Sequence, residues 1–262
     1  MSLPSTARGF LLVVCLLCAC ACSSTPVAER YEFALPKGVA APRPSAGNPI
    51  SRAKVELGRR LFFERKLSAD TSFACASCHR PELAFTDGLV VARGLSGDAL
   101  PRNTQSLANV AYFDALTWAN PKLHTLEGQA LVPLLATMPR ELGVAKEMPA
   151  VLDRLRAEPD YVAGFQVAFP AAVQPITTAN IVAALASFER TLLSFGAPYD
   201  AWLAGDVHAL SPAAQRGRAL FESKRLACSS CHSGRLFTDA AAGLLPVAED
   251  APFHNIGLYN LG

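Results

Sequence analysis

The amino-acid sequence predicts a mainly α-helical protein built from two similar units, the second of which is incomplete in this chain. Apolar residues recur at helical spacing behind capping residues, and no series of alternating apolar and polar residues indicates strands. The same order of short motifs occurs twice along the chain. With 262 residues, 51% of them hydrophobic, the chain has enough apolar side chains to bury a core.

The N-terminus reads as an export signal over residues 1–22. Arg8 gives a positive start, residues 10–17 form a short apolar run, and small residues follow. The stretch Leu17-Cys-Ala-Cys20 resembles a bacterial lipobox with Cys20 as the lipidated residue, and an ordinary cleaved signal is the alternative. Residues 23–49 are rich in proline and predict a linker. We therefore expect a periplasmic protein, attached to the membrane only through a lipid anchor if Cys20 carries one.

Capping residues predict three helices in the body of the chain. These begin at Ser51, at Thr177 or Thr178, and at Ser211-Pro212. The first is expected to run to about Lys66 and the last to Phe221. The middle helix has one apolar face, made of Ile181, Val182, Leu185, Phe188 and Leu192. Residues 153–157 and 161–169 are shorter helical candidates.

Three elements recur in the same order in two stretches of the chain. These are a Gly-Arg-x-Leu-Phe helix, a Cys-x-x-Cys-His pentapeptide and a Phe-Thr-Asp turn. The helices end at Phe62 and Phe221, and the turns end at Asp87 and Asp239. The repeat predicts a duplicated unit. We expect the first unit over residues 50–200 and the start of the second over residues 201–262.

The pentapeptide is the attachment signature of c-type haem. Two thiols three positions apart can add across the two vinyl groups of one porphyrin, and the next residue offers an imidazole to the iron. Two covalent haems are therefore predicted, one bound by Cys75, Cys78 and His79 and the other by Cys228, Cys231 and His232. A redox dithiol and a shared zinc ion are the alternatives. Neither needs a histidine directly after each pair, and the pairs lie far beyond the usual zinc-ribbon spacing.

Charge and cysteine usage exclude some other classes of protein. The formal net charge is +2 and no long basic run occurs, so nucleic acid is not an implied partner. Four of the eight cysteines crowd the N-terminus and the rest belong to the two pentapeptides. None is left for a structural disulfide in the body.

The motifs together resemble the bacterial di-haem cytochrome c peroxidase family, including its MauG-type branch. The matching stretches besides the two pentapeptides are residues 57–63, 84–88, 101–104, Trp118, 126–130, 187–192 and 253–257. They span nearly all of the mature chain in family order. Residues 130–143 with residues 257–260 look most like di-haem enzymes associated with the copper-binding peptide methanobactin.

The resemblance implies roles for individual residues. His79 would be the proximal ligand of the first, peroxide-reactive haem, with Gln129 and Glu141 on its open face. Glu141 would shuttle a proton as the O–O bond breaks; a solvated turn carboxylate is its alternative interpretation. Trp118 aligns with a tryptophan that relays electrons between the haems, or it packs in a core. Asn103 aligns with a ligand of a calcium ion between the haem domains.

The loop after the first pentapeptide departs from the ordinary family pattern. Residues 90–101 lack the histidine that caps the first iron in ordinary di-haem peroxidases. The resemblance then favours the MauG-type branch, whose members withdraw electrons from aromatic residues of a partner protein. Hydrogen peroxide is the expected oxidant, and a small redox protein that donates electrons is the alternative to a secreted protein substrate.

A second departure follows the second pentapeptide. Only 30 residues come after His232, whereas family members continue further and supply the second haem's distal Met or Tyr from that segment. We therefore expect an incomplete second domain. An electron-transfer cytochrome without peroxidase activity and a non-functional truncated fragment are the alternatives to an enzyme.

Other polar residues receive structural interpretations. Glu189 and Arg190 are expected to form a pair near the long helix. His124 is expected on a helix surface, and His208 in a solvated loop before Ser211. His254 either lines a haem pocket or is a hydrogen-bonded loop histidine.

Overall fold

The computed structural model describes residues 29–43, 45–241 and 253–254. The predicted signal over residues 1–22 lies outside these residues, as does most of the chain after Ala241. The α-helices of the described part, numbered in chain order, are α1 (Arg52–Phe62), α2 (Cys75–Cys78), α3 (Leu126–Leu135), α4 (Met148–Arg156), α5 (Pro159–Ala168), α6 (Thr178–Glu189), α7 (Pro198–Leu203) and α8 (Pro212–Phe221). Short 3-10 turns separate several of them.

The described residues are mainly helical, which confirms the predicted fold class at that level. Within residues 29–43, 45–241 and 253–254, extended backbone pairs only in isolated bridges, such as Arg30 with Ser51 and Arg80 with Thr86. No helix in the described ranges is both long enough and apolar enough to span a membrane. The predicted linker contains no helix where it is described, and Asn48 near its end is buried against the body.

The start of α1 agrees with the sequence and its end does not. The Ser51 Oγ accepts a hydrogen bond from the Lys54 backbone N–H at 3.2 Å, which is the predicted N-cap. The helix ends at Phe62 rather than near Lys66. A separate 3-10 turn then begins, because the Glu64 carboxylate accepts from the Lys66 N–H and caps that turn instead.

The crossing of α1 and α6 forms the centre of the first unit. A Cβ added at Gly58 on α1 would lie 1.9 Å from the Ala184 carbonyl oxygen on α6, so only glycine allows the two backbones to approach this closely. Phe62, one helical turn further, is fully buried, and its ring lies 5.2 Å from the Phe188 ring. The crossing therefore places one aromatic ring of α1 beside the first pentapeptide.

Two helices between α2 and α6 begin earlier than predicted, and one was not predicted. Helix α4 starts at Met148 instead of residue 153, with Pro149 in its first turn. Helix α5 starts at Pro159 instead of residue 161. Prolines are compatible with the first turn, because the N–H that they lack has no partner there in any helix. Helix α3 was not predicted, because Pro133 in its interior reads as a helix breaker.

The two remaining predicted caps are confirmed. Thr177, rather than Thr178, caps α6 by accepting from the Asn180 N–H at 3.2 Å. Ser211 caps α8 by accepting from the Ala214 N–H at 3.2 Å, and α8 ends at Phe221 as predicted.

Candidate haem sites

The first pentapeptide forms the short helix α2. A single turn places the Cys75 and Cys78 thiols on one side, and the His79 N–H donates to the Cys75 carbonyl at 2.9 Å. Both thiols are free. Burial raises the pKa of Cys75 to about 12 and that of Cys78 to about 11. Thiols held neutral in this way do not suit a reactive dithiol, which needs a lowered pKa.

The zinc alternative gains no support either. Among the described residues, no group of three or more His, Cys, Asp or Glu side chains is arranged to hold a metal ion. The two pentapeptides therefore do not converge on a shared site in the part of the chain that the structure describes.

A backbone carbonyl orients the imidazole of His79. The Nδ1 of His79 lies 2.9 Å from the Phe85 carbonyl oxygen, and burial lowers the pKa of His79. A neutral imidazole that donates from Nδ1 keeps the Nε2 lone pair free to bind iron. Phe85 adopts φ +62°, a left-handed conformation that a bulky residue rarely holds without a functional reason.

The second pentapeptide reproduces this geometry. The His232 Nδ1 lies 3.1 Å from the Phe237 carbonyl oxygen, and Phe237 has φ +54°. The Phe221 and His232 rings are 6.4 Å apart at 44°. The Phe62 and His79 rings of the first unit are 6.4 Å apart at 47°. Both copies therefore hold an imidazole by the same combination of ring and backbone.

The predicted residues of the first site line one cavity of about 470 Å³ beside His79. That cavity falls within the usual range for cofactor pockets. The predicted residues in its wall are Cys78, His79, Asn103, Trp118, Gln129 and Glu141. A smaller inner recess of about 60 Å³ adds Cys75, Phe62 and Glu189. The buried Glu189 Oε2 has no hydrogen-bond partner in the described residues. An apolar wall, the His79 imidazole and one orphaned polar atom together fit a haem group.

Glu141 is held by its backbone neighbours. The Leu142 and Val144 N–H groups donate to the Pro133 and Leu134 carbonyls at the end of α3, at 2.9 and 3.0 Å. Burial raises the pKa of Glu141, which also lies in the cavity wall. These two properties suit an acid–base group better than a solvated turn carboxylate, and the acid–base role of Glu141 stays a prediction.

Trp118 and Asn103 lie together at the rim of the cavity. The Trp118 Nε1 donates to the Asn103 backbone carbonyl at 3.0 Å, and 41% of Trp118 is exposed. Trp118 is therefore not a core residue. Gln129 reaches the same cavity from α3. Calcium binding by Asn103 stays a prediction.

The loop after the first pentapeptide folds as a small hairpin. The Leu100 N–H donates to the Ala92 carbonyl at 2.8 Å, and Arg93 pairs with Ala99. At its tip, a Cβ added to Gly94 would lie 2.2 Å from the Arg140 carbonyl oxygen. The loop therefore contacts the segment that carries Glu141.

Two predictions about individual polar residues were wrong. Arg190 does not pair with Glu189: its Nη1 and Nη2 donate to both carboxylate oxygens of Glu127, each at 2.8 Å. Adjacent residues point in different directions from a helix, and Glu127 on α3 faces Arg190. His124 lies in the loop before α3, not on a helix, and its Nδ1 is 2.6 Å from the Asp114 carbonyl oxygen.

Two other histidines agree with the sequence. His208 is exposed in the loop before α8. The His254 Nε2 lies 2.6 Å from the Asp239 Oδ2, as in the hydrogen-bonded interpretation.

Glu189 lines the first site although its sequence position was interpreted only as one half of an ion pair. A signal was present, because Glu189 follows the buried Leu185 by four positions and therefore falls on the buried stripe of α6.

The chain is similar to known proteins over most of the residues that form this site. The sequence model of the family "Di-haem cytochrome c peroxidase" matches residues 52–208. A methylamine utilization protein MauG from Methylorubrum extorquens is 40% identical over 88% of this chain and 60% of its own length. The cytochrome-c peroxidase IdrP1 of Denitromonas iodatirespirans is 39% identical over 93% of this chain and 60% of its own length.

Solved structures are similar as well. The crystal structure of a MauG-like protein associated with microbial copper homeostasis superposes with a TM-score of 0.83 at 40% identity, covering 88% of this chain and 66% of that chain. The chain thus spans 60% of the length of the two curated relatives named above.

Proposed function

Because the chain belongs to the di-haem cytochrome c peroxidase family, we propose that it is a haem-dependent oxidoreductase that reacts with hydrogen peroxide at its first haem. Oxidising equivalents then pass through the second haem to an electron donor. The observation that carries the proposal is the cavity in which His79, Gln129 and the buried acid Glu141 meet.

The pentapeptides would hold the two cofactors covalently. The Cys75 and Cys78 thiols add to the vinyl groups of the first haem, and the His79 Nε2 binds its iron. Cys228, Cys231 and His232 hold the second haem in the same way. The shared carbonyl contact of each imidazole, from Phe85 and Phe237, supports equal proximal ligation in both sites.

Glu141 would move protons during peroxide reduction. When bound, the haem supplies the electrons that break the O–O bond, and each peroxide takes two electrons and two protons to give two water molecules. A carboxyl group whose pKa is raised by burial can accept the first peroxide proton and return it to the leaving oxygen. Gln129 in the same wall can orient the peroxide by a hydrogen bond.

Trp118 would take part in electron transfer at the rim of the cavity. Trp118 is partly exposed, and its hydrogen bond to the Asn103 carbonyl holds the indole at the edge of the first site. A calcium ion held in part by Asn103 would stabilise this edge.

The electrons would come from an aromatic residue of a secreted partner protein. Similarity to a MauG at 40% identity supports this source, and similarity to the cytochrome-c peroxidase IdrP1 at 39% identity supports a small redox protein as the second candidate. The residue 90–101 loop supplies no histidine to cap the first iron, which supports a site open to peroxide. Export through residues 1–22, with lipidation at Cys20 or simple cleavage, would place the protein in the periplasm.

The proposal is tested on the full chain produced in a bacterium that matures c-type haem. We expect two covalent haems per chain, one of them high-spin and reactive with peroxide. His79→Ala should abolish the reactive high-spin signal. The matched variant His232→Ala should keep the reaction with peroxide and lose the delivery of electrons. Two low-spin haems that are inert to peroxide would contradict an enzyme and favour an electron carrier.

A further inference from the structure

Glu189 is a buried carboxyl group without a hydrogen-bonding partner for one of its oxygens. It is the last residue of α6 and only 6% exposed, and its Oε2 is unsatisfied within the described residues. It lines the inner recess of the first haem cavity, together with Cys75 and His79. Folded proteins satisfy almost all buried polar groups, so an exception in a cofactor cavity indicates a role toward that cofactor.

The positive charge of the neighbouring Arg190 is not paired with the Glu189 carboxylate. Both donating nitrogens of Arg190 are engaged with Glu127, and Asn48 donates to the same carboxylate at 2.7 Å. The charge of Arg190 is therefore largely compensated on the side facing α3. Glu127 also adds a negative charge that opposes the ionisation of Glu189.

We propose that Glu189 is a proton-holding residue of the first haem site, and that its carboxylate takes up one proton when this haem gains one electron. The electron reduces the iron from ferric to ferrous, and the proton comes from solvent and forms the O–H bond of the carboxylic acid. No other bond changes. The inference rests on the haem attachment to Cys75, Cys78 and His79 proposed above.

The physical reason is the charge of the iron. Ferric haem has one positive charge more than ferrous haem, and in a recess shielded from water this charge stabilises a nearby carboxylate. Reduction removes that stabilisation. Burial raises the pKa of Glu189 to about 8, which brings the proton exchange close to neutral pH.

The groups that face Glu189 come from several elements. After burial, the largest influences on the pKa of Glu189 are the charge of Arg190, the C-cap of α6, which lowers it, and the charge of Glu127 on α3, which raises it. Cys75 on α2 is uncharged, and Glu141 lies in the wall of the same recess. Helix α1 contributes the apolar Phe62 to that wall. The pKa of His79 responds to Phe85, Gln105 and Asp87, and Glu189 is not among the groups that shift it.

The test is a redox titration of the haem-loaded full chain between pH 6 and pH 9, followed through the absorption of the first haem. In the wild type, the equilibrium constant for reduction should fall by up to tenfold per pH unit, or about 59 mV for one electron. Glu189→Gln should remove this dependence. Glu82→Gln removes an exposed carboxylate close to the same pentapeptide and should leave it unchanged.

Glu141→Gln identifies which buried acid is responsible. A dependence that persists in Glu141→Gln and is lost in Glu189→Gln supports the inference. Loss in Glu141→Gln with persistence in Glu189→Gln overturns it. If Glu189→Gln does not fold, the infrared difference between reduced and oxidised Glu141→Gln decides: a carboxylic-acid band that appears on reduction and shifts in D₂O supports the inference, and its absence overturns it.

Failure of this inference is distinct from failure of the proposed function. A chain with no haem on the first pentapeptide would contradict the proposed function. A loaded chain that reacts with peroxide but has a pH-independent potential would contradict only the role of Glu189.

Discussion

The backbone N–H of Leu95 donates to the carbonyl oxygen of Glu141 at 3.2 Å and shares its hydrogen with the Arg140 carbonyl at 3.1 Å. The loop that lacks the capping histidine is thus tied directly to the proposed acid–base residue. This contact requires Gly94, because a larger residue would collide with the Arg140 carbonyl.

Gly94→Ala should therefore displace Glu141 without changing any reactive group. The added Cβ would lie 2.2 Å from the Arg140 oxygen, so the Arg140–Glu141 backbone has to move. Misplacement by about 1 Å can cost up to about 100-fold in rate. We expect a slower reaction with peroxide at unchanged haem content, measured by stopped-flow absorption.

The matched control for Gly94 lies on the same hairpin. Gly97 has φ +82° and no described atom within 4 Å of its Cβ position, and asparagine tolerates this backbone region better than most residues. Gly97→Asn should react at the wild-type rate. Equal rates for Gly94→Ala and the wild type would show that the hairpin does not position Glu141.

Glu141→Gln should slow the reaction with peroxide by about 10²- to 10⁴-fold, the usual contribution of a general acid–base group. The amide keeps the size of the side chain and cannot ionise, so it cannot transfer a proton in this pH range. Rates measured across pH should also lose the ionisation that the wild type shows above the ordinary carboxyl range, because burial raises the pKa of Glu141. Glu147→Gln, in the same segment but with a partly exposed side chain, should retain both the rate and its pH dependence.

The two equivalent glycines of the repeat should respond oppositely to alanine. Gly58→Ala forces apart α1 and α6, since its Cβ would overlap the Ala184 carbonyl, and should destabilise the protein by about 3 kcal/mol or more. No described atom lies within 4 Å of the Cβ position of Gly217. Gly217→Ala should stabilise α8 by about 0.5–1 kcal/mol through helix propensity alone. Urea unfolding measures both, and equal losses would contradict the close crossing at Gly58.

Stability should fall as pH rises through the neutral range. With the first haem reduced, burial raises the pKa of Glu189 to about 8, so the native state keeps a proton that the unfolded chain has already released. The native state thus binds more protons between the ordinary carboxyl pKa and about 8, and the free energy of unfolding decreases by up to about 1.4 kcal/mol per pH unit in that window. Glu189→Gln should flatten this dependence in thermal unfolding. An unchanged slope would mean that Glu189 ionises normally.

Local rules accounted for much of the fold. Ser51, Thr177 and Ser211 cap their helices by short-range hydrogen bonds, and such contacts can be inferred from neighbouring residues. The end of α1 could not be inferred, because Glu64 caps a competing turn. Helix α3 could not be inferred from local rules, because Pro133 lies in its interior. Its C-terminal carbonyls accept hydrogen bonds from the distant Leu142 and Val144 N–H groups.

The residues of the candidate site were predicted less completely than the helix caps. The pentapeptides predicted both haem-binding groups, and the family resemblance predicted roles for Gln129 and Glu141, which line the cavity beside His79. The partner of Arg190 could not be chosen from the sequence, because Glu189 is its neighbour in the chain and Glu127 is its neighbour in space. The choice depends on how α3 lies against α6.

The left-handed backbone at Phe85 and Phe237 has a consequence for the inequality of the two haems. Each of the two proposed iron-binding imidazoles donates to a main-chain oxygen, so chain geometry sets its orientation in both copies. We therefore expect a difference in redox chemistry between the two proposed haems to arise from the walls of their cavities. The first site has two carboxyl groups in its wall, Glu141 and Glu189, whereas the second cavity has one, Glu222, which pairs with Arg218. In the proposed function, the repeat keeps the ligand the same and the different walls give each copy its own chemistry.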